Sequence, residues 1–347
     1  MQTAKIWLRR ILIGFCALAV VVAICIGFAA WRFNQVMTIN APDGIEEAGY
    51  VRIGGIDQWV QVRGQDRANP VLLWLNGGPG ASTIPQTYFY REWEKHFTVV
   101  MWDQRGEGKT FDRTGASVAP TMTINRMTQD ALELSKYLRA RFHKKKIVLL
   151  GHSWGSILGV HMVRERPEFF SAYVGTGQIQ TPRKDAETTY PALLARAESQ
   201  GAQQAIQELE GVGPPPYADD TKYVVSLKWA NMLDPFPHPH FSAGGLWAMA
   251  RSTPPMLSPG AQFSQRLMLN AILNEDLPSV LTDFRVPVFI IEGPEDLVTP
   301  EAKSYFDKMA SPHKEFHLLP GTGHLAIFDA DRFLEVLVKR VRPLVAQ

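Results

Sequence analysis

Cysteine is almost absent from this sequence. Only Cys16 and Cys25 occur in 347 residues, and both lie inside an apolar run near the N-terminus. Everything after residue 25 therefore has no disulfide, no thiolate nucleophile and no Cys-based metal site. Charge imbalance is lacking as well. Lys plus Arg number 36 against 34 Asp plus Glu, a formal net charge of +2, and no basic stripe is interleaved with aromatics. That removes the electrostatic footprint of a nucleic-acid binder. Internal repeats are missing too, which excludes a solenoid or propeller. What is present is apolar: 46% hydrophobic against 20% charged residues supports a sizeable packed core and excludes wholesale disorder.

The longest uncharged stretch runs from Ile11 to Trp31. As a helix rising about 1.5 Å per residue it covers roughly 30 Å, the thickness of a bilayer core. Lys5, Arg9 and Arg10 precede it and Arg32 follows, with Trp7 and Trp31 at the two ends. This asymmetry predicts residues 1–10 in the cytoplasm, a transmembrane helix over 11–31, and the remainder exported to the periplasmic or extracytoplasmic side. A cleaved signal peptide is the chief rival, with Gly27 and Ala29 as a small-x-small site, but the run exceeds the usual length of a signal's apolar region. A single span excludes a transporter.

A linker over 32–47 leads to a globular part, 48–347, in which short apolar strands alternate with amphipathic helices. Val71–Leu75, Thr98–Trp102, Ile147–Leu150, Ala172–Gly175, Val288–Ile291 and Glu315–Leu319 read as strands, and Ile124–Phe142, Ser156–Arg164 and Pro300–Met309 as helices. The alternation predicts an α/β fold, a mostly parallel sheet covered by helices on both faces. Between about 180 and 275 the rhythm breaks. There Trp229, Phe236, Phe241, Trp247, Met249 and Met256 give a large apolar payload among Pro-rich stops, which predicts a helical cap inserted over the sheet's C-terminal edge.

Chemistry concentrates at strand ends. Gly151-His152-Ser153-Trp154-Gly155 joins the strand Ile147–Leu150 to a helix, so Ser153 is expected on a strained nucleophile elbow at a helix N-terminus, where developing negative charge is favoured. Asn76-Gly77-Gly78-Pro79-Gly80 follows another core strand. Acyl transfer needs two N–H donors beside the nucleophile, assigned to the backbones of Gly78 and Trp154. Asp296 follows the strand Val288–Ile291 and His324 follows Glu315–Leu319, giving the order Ser153, Asp296, His324 of a hydrolase triad. Glu295 is the competing acid. His152 reads as structural, pointing away from the nucleophile, and Arg105 as a brace for its own loop, with Asp103 as its expected partner. His238 and His240 have no third ligand, so no metal and no cofactor are expected.

Together these segments resemble the proline iminopeptidase group of α/β-hydrolases, the aminopeptidase family called S33, over roughly residues 48 to 345. The carriers are Asn76-Gly77-Gly78-Pro79-Gly80, Asp103-Gln104-Arg105-Gly106-Glu107-Gly108, Gly151-His152-Ser153-Trp154-Gly155, Gly293 with Asp296, and Gly323-His324. The resemblance implies release of N-terminal residues, often proline, from small peptides or amides through a triad under a helical cap. Position 76 is Asn where many members carry His. The family's amine-holding glutamate after a tryptophan is missing, since Ala230 follows Trp229 and Ala248 follows Trp247. Glu187, Glu198, Glu208, Asp219, Asp220 and Asp234 all remain open for that role. A small-ester hydrolase is the alternative activity and a non-catalytic binding protein a third. An epoxide hydrolase or dehalogenase is disfavoured, because the elbow carries no carboxylate.

Overall fold

The computed structural model describes residues 2–235, 243–250 and 255–345. Phe236, His238, His240 and Phe241, singled out in the sequence, lie outside the described residues.

Each core strand is apolar on both sides because both of its faces are covered. In β3 (Val71–Leu75) and β5 (Ile147–His152) every residue is buried. Alternate side chains enter different cores: Val71, Leu73, Leu75, Ile147 and Leu149 join one, while Leu72, Trp74, Val148 and Leu150 join the other. That period of two is the pleat of the strand. With β1 (Ile45–Ile53), β2 (Ile56–Gly64), β4 (Thr98–Asp103), β6 (Phe170–Thr176), β7 (Val288–Glu292) and β8 (Lys314–Leu318), they form an eight-stranded sheet in the order β1-β2-β4-β3-β5-β6-β7-β8. β1 and β2 form an antiparallel hairpin, and β2 meets β4 antiparallel. From β4 to β8 all pairings are parallel. The C-terminal ends of β3, β5, β6, β7 and β8 therefore share one rim, where the loops bearing the chemistry emerge.

The insertion between β6 and β7 is helical, as expected. Pro182–Ser199, Gln203–Val212 and Thr221–Met232 enclose a small core of their own around Tyr190, Leu193, Leu209, Trp229 and Leu233. Ala243–Ala250 and Pro259–Leu273 follow.

The N-terminal apolar run is one helix, Gln2–Met37, and it does not end at Trp31. Its stretch Arg9–Met37 is long and apolar enough to cross a membrane. The segment read as a linker over 32–47 is thus helix up to Met37 and strand from Ile45. The last helical turns are held: the Phe33 ring stacks on Tyr88 at 5.6 Å, and Arg63 donates to the Met37 carbonyl.

Arg105 braces a loop, but through a different carboxylate from the one expected. Its Nε donates to Asp130 Oδ2 at 2.9 Å on the helix Ile124–Arg141, and its Nη2 to the carbonyl of Gly54 at 2.9 Å. Asp103 is occupied by Ser82 and by the Lys109 N–H instead. Asp130 also receives Arg126 at 2.8 Å and Gln58 at 2.9 Å, so one fully buried carboxylate ties the hairpin, the β4 loop and a covering helix together. Removing one partner of a buried pair strands the other charge. Asp130→Ala is expected to cost about 3–5 kcal/mol of stability, measured by urea unfolding. A loss below about 1 kcal/mol, the scale of an exposed pair, would show that Arg105 finds another acceptor.

Candidate active site

The elbow is set by close packing. Ser153 sits between β5 and the helix Trp154–Glu165 with φ 52° and ψ −119°, a region side chains avoid. Such a conformation costs about 1–3 kcal/mol and persists only where the surroundings enforce it. Here they do. A Cβ on Gly155 would lie 2.1 Å from the Leu75 carbonyl oxygen of β3, and one on Gly151 would lie 2.6 Å from the Gly155 carbonyl oxygen. The Ser153 N–H donates to the Thr176 carbonyl at 3.0 Å, and its own carbonyl accepts from the Ser156 N–H at 2.8 Å.

Three rim loops bring the expected side chains together. Ser153 Oγ lies 2.9 Å from His324 Nε2, and His324 Nδ1 lies 2.8 Å from Asp296 Oδ2. A carboxylate can only accept, so Nδ1 carries the proton and Nε2 is left to accept from the serine hydroxyl. Asp296 is buried, and its other oxygen accepts from the Val298 N–H at 3.2 Å. Glu295, the competing acid, is exposed, and it is its backbone carbonyl that Arg196 engages.

Burial works against a charged His324. The Asp296 charge and hydrogen bond outweigh it, and with Asp234 and Glu292 adding, they raise the imidazole to about 9. His152 moves the opposite way. Burial first, then the neighbouring His324, lowers it to about 3, so it is neutral. Its Nε2 donates to the His324 carbonyl at 3.2 Å, bracing the backbone of that loop rather than facing the hydroxyl.

The loop after β3 borders the same point. A Cβ on Gly77 would lie 3.3 Å from Ser153 Cβ and 2.9 Å from His152 Nδ1, so no side chain fits there. Gly78 follows at φ 120°. Trp154 is the first residue of the elbow helix, and its indole donates to Gln104 Oε1 at 3.0 Å. Asn76 anchors the loop from beneath. Its amide donates to the Trp102 carbonyl at 3.2 Å and to Glu107, and its oxygen accepts from Thr83 at 2.6 Å. Burial, with Asp103 adding, pushes Glu107 well above its ordinary carboxylate value.

Two further carboxyl groups adjoin the three. Glu292 ends β7 fully buried and accepts the N–H groups of Gly177 at 2.8 Å and Gln178 at 2.9 Å. That pins the loop after β6, whose Gly177 packs so tightly on the imidazole that a Cβ would lie 2.8 Å from His324 Cε1. A lone Glu ending an apolar strand was the only signal in the sequence. Among the cap acids left open, the structure sets Asp234 against His324: its Oδ1 accepts the His324 N–H at 3.1 Å and lies 3.8 Å from Arg196, and its carboxylate also receives the Leu325 N–H. Glu208 is taken up by Lys228 and Trp229, and Asp220 by Arg183 and Asn270. Among the described residues no group of three or more His, Cys, Asp and Glu is arranged to hold a metal.

Known proteins agree with this architecture. Residues 70–331 match the family described as alpha/beta hydrolase fold. A probable aminopeptidase of Bacillus subtilis is 31% identical over 78% of this chain and 88% of its own length. A proline iminopeptidase of Lacticaseibacillus rhamnosus is 25% identical over 83% of this chain and 96% of its own. Among solved structures, a proline iminopeptidase-related protein of Thermus thermophilus superposes with a TM-score of 0.65 at 22% identity, over 87% of this chain and all of the other. With the sheet order, the elbow and these matches in agreement, the chain belongs to the α/β-hydrolase family as a hydrolase similar to its proline iminopeptidase group.

Proposed function

We propose that this chain is a membrane-anchored serine hydrolase that works through an acyl-enzyme, an aminopeptidase acting on small peptides or amides. The observation that carries the reading is the unbroken relay from Ser153 Oγ through His324 to Asp296, with links of 2.9 and 2.8 Å. In this scheme Ser153 attacks the substrate carbonyl as His324 Nε2 takes its proton, and Asp296 holds the imidazole in the required tautomer. The N–H groups of Gly78 and Trp154 receive the oxyanion. His324 then protonates the departing amine, and water, activated by the same imidazole, releases the acyl group.

Aminopeptidase specificity is supported by the names of the relatives and by Asp234, which places a carboxylate beside the relay, where a substrate ammonium would find a counter-charge. The second reading is a small-ester hydrolase. It is favoured by the fact that Asp234 already accepts the His324 N–H, so its charge has a structural use without any amine. The helix Gln2–Met37 is read as the anchor, with its N-terminus cytoplasmic because Lys5, Arg9 and Arg10 precede the apolar run.

Ser153→Ala is expected to abolish fluorophosphonate labelling and to reduce turnover of an aminoacyl arylamide by about 10⁴-fold or more; persistent labelling would place the nucleophile elsewhere. The pH dependence has a defined sign. His324 must be neutral to act as base, and its surroundings raise it above the ordinary 6.5 to about 9. kcat/KM is therefore expected to climb with pH through a midpoint above 6.5, and an acid limb below that value would contradict the assignment.

Asp234→Asn keeps an acceptor for the His324 N–H but removes the charge. If Asp234 holds the substrate's amine, kcat/KM falls about 10- to 100-fold for aminoacyl arylamides, the worth of a charge-assisted hydrogen bond, and little for acetyl esters. An equal fall on both substrates assigns Asp234 to positioning and favours the ester reading.

A further inference from the structure

The apolar run is bare along most of its length and covered only at its end. Every residue from Ile11 to Phe28 is exposed, whereas Ala29, Ala30, Phe33, Val36 and Met37 are half-buried, at helical spacing along one face. The main element packed there is the cap helix Ala243–Ala250, with lesser contact from Ile84–Lys95, which directly continues the Gly-rich loop after β3. Tyr88 joins all three pieces. Its ring stacks on Phe33 at 5.6 Å, and a Cβ on Gly244 would lie 2.7 Å from its hydroxyl.

This fixes a depth. Ala29 and Ala30 belong to the apolar run itself and are already half-buried, so the cover over the helix's end, of which Ala243–Ala250 is the main part, begins where that run ends. Ala243–Ala250 carries no charged side chain, and its one side-chain hydrogen-bonding group, the Trp247 indole N–H, is buried. On this helix and at Pro255–Leu257, large apolar side chains are exposed: Met249 is 45% exposed, Met256 41% and Leu257 63%. In water such a rim is unfavourable, and continuity with a span is what gives it a partner. Arg32 is exposed one residue beyond the apolar run, a place where a cation suits anionic headgroups.

We infer that the cap rim formed by Met249, Met256 and Leu257 beds into the interfacial layer of the bilayer, so that the catalytic mouth opens at the lipid surface and admits amphiphilic substrates whose scissile acyl bond lies at headgroup depth. The inference rests on the anchor reading and deepens it from tether to docked orientation. It is independent of whether an amide or an ester is cleaved.

The near absence of cysteine makes the test direct. In the full chain with Cys16 and Cys25 replaced by Ser, single substitutions Met249→Cys, Leu257→Cys and Lys146→Cys carry an environment-sensitive fluorophore. Lys146 is exposed and directly precedes β5, at the N-terminal end of a central strand and so opposite the rim. The proteins are reconstituted into vesicles of phosphatidylethanolamine and phosphatidylglycerol.

Labels at 249 and 257 are expected to be quenched severalfold more by a headgroup nitroxide lipid than by aqueous iodide, with the order reversed at 146. A Met249→Glu, Leu257→Glu double variant is expected to lose severalfold of its rate on a long-chain ester embedded in the vesicles and none on soluble acetyl ester. Equal, water-like quenching at all three positions, in protein that sediments with the vesicles, overturns the docking while leaving the anchor intact. Protein that does not sediment with vesicles overturns the anchor reading and the docking with it. Labels that become shielded from both quenchers as protein concentration rises would give the rim to a second copy of the chain, and the proposal falls.

Discussion

The active rim depends on how closely the elbow helix approaches β3. With only 2.1 Å between a would-be Cβ of Gly155 and the Leu75 carbonyl, the helix and strand meet backbone to backbone. That approach leaves the chain one way to turn, through Ser153 at positive φ, and it lifts the hydroxyl clear of the sheet. It also brings the start of the loop after β3 alongside, since that loop begins at the next residue, Asn76. The Ser153 hydroxyl and the Gly-rich loop are therefore positioned by one contact, not two.

Around that contact the protein buries an unusual amount of polar chemistry and satisfies most of it. Arg105 is matched to Asp130, Asn76 uses its whole amide, and Glu292 takes two backbone donors. Each pairing ties two segments distant in sequence, because a buried polar group left alone costs more than the contact returns. The imidazole of His324 is consequently confined on several sides: Asp296 on one nitrogen, Gly177 against the ring, and His152 and Asp234 on its backbone. A residue at the end of a strand loop is thereby held to a fixed orientation.

What could be read from the sequence follows the range of the interactions. The strands from β3 to β7 were legible because two-sided burial makes them largely apolar runs, whereas β8, a half-buried strand at the end of the sheet, was legible from its place in the strand–helix alternation. The elbow was legible because its glycines are dictated by local backbone geometry. Asp296 and His324 were placed by fold order together with the residues that precede them. The roles of Glu292 and Asp234 were not legible, since each acts through the backbone of a residue far along the chain, and no periodicity encodes such a meeting. Arg105 illustrates the same limit: a bracing role was legible, but its true partner lies on a helix 25 residues away rather than two residues upstream. The helix continuing past Trp31 to Met37 was missed because its last turns are polar in part and owe their order to Tyr88 and Arg63.

The bond from the His324 amide to Asp234 crosses from the sheet to the insertion above it. A lid that merely shields a site can swing away without disturbing the groups beneath. This one cannot: lifting the end of Thr221–Met232 withdraws an acceptor from the His324 amide and a negative charge from the surroundings of its imidazole. Opening to exchange substrate and holding the imidazole ready are then competing demands on a single carboxylate, so the uncovered state is chemically slack as well as empty.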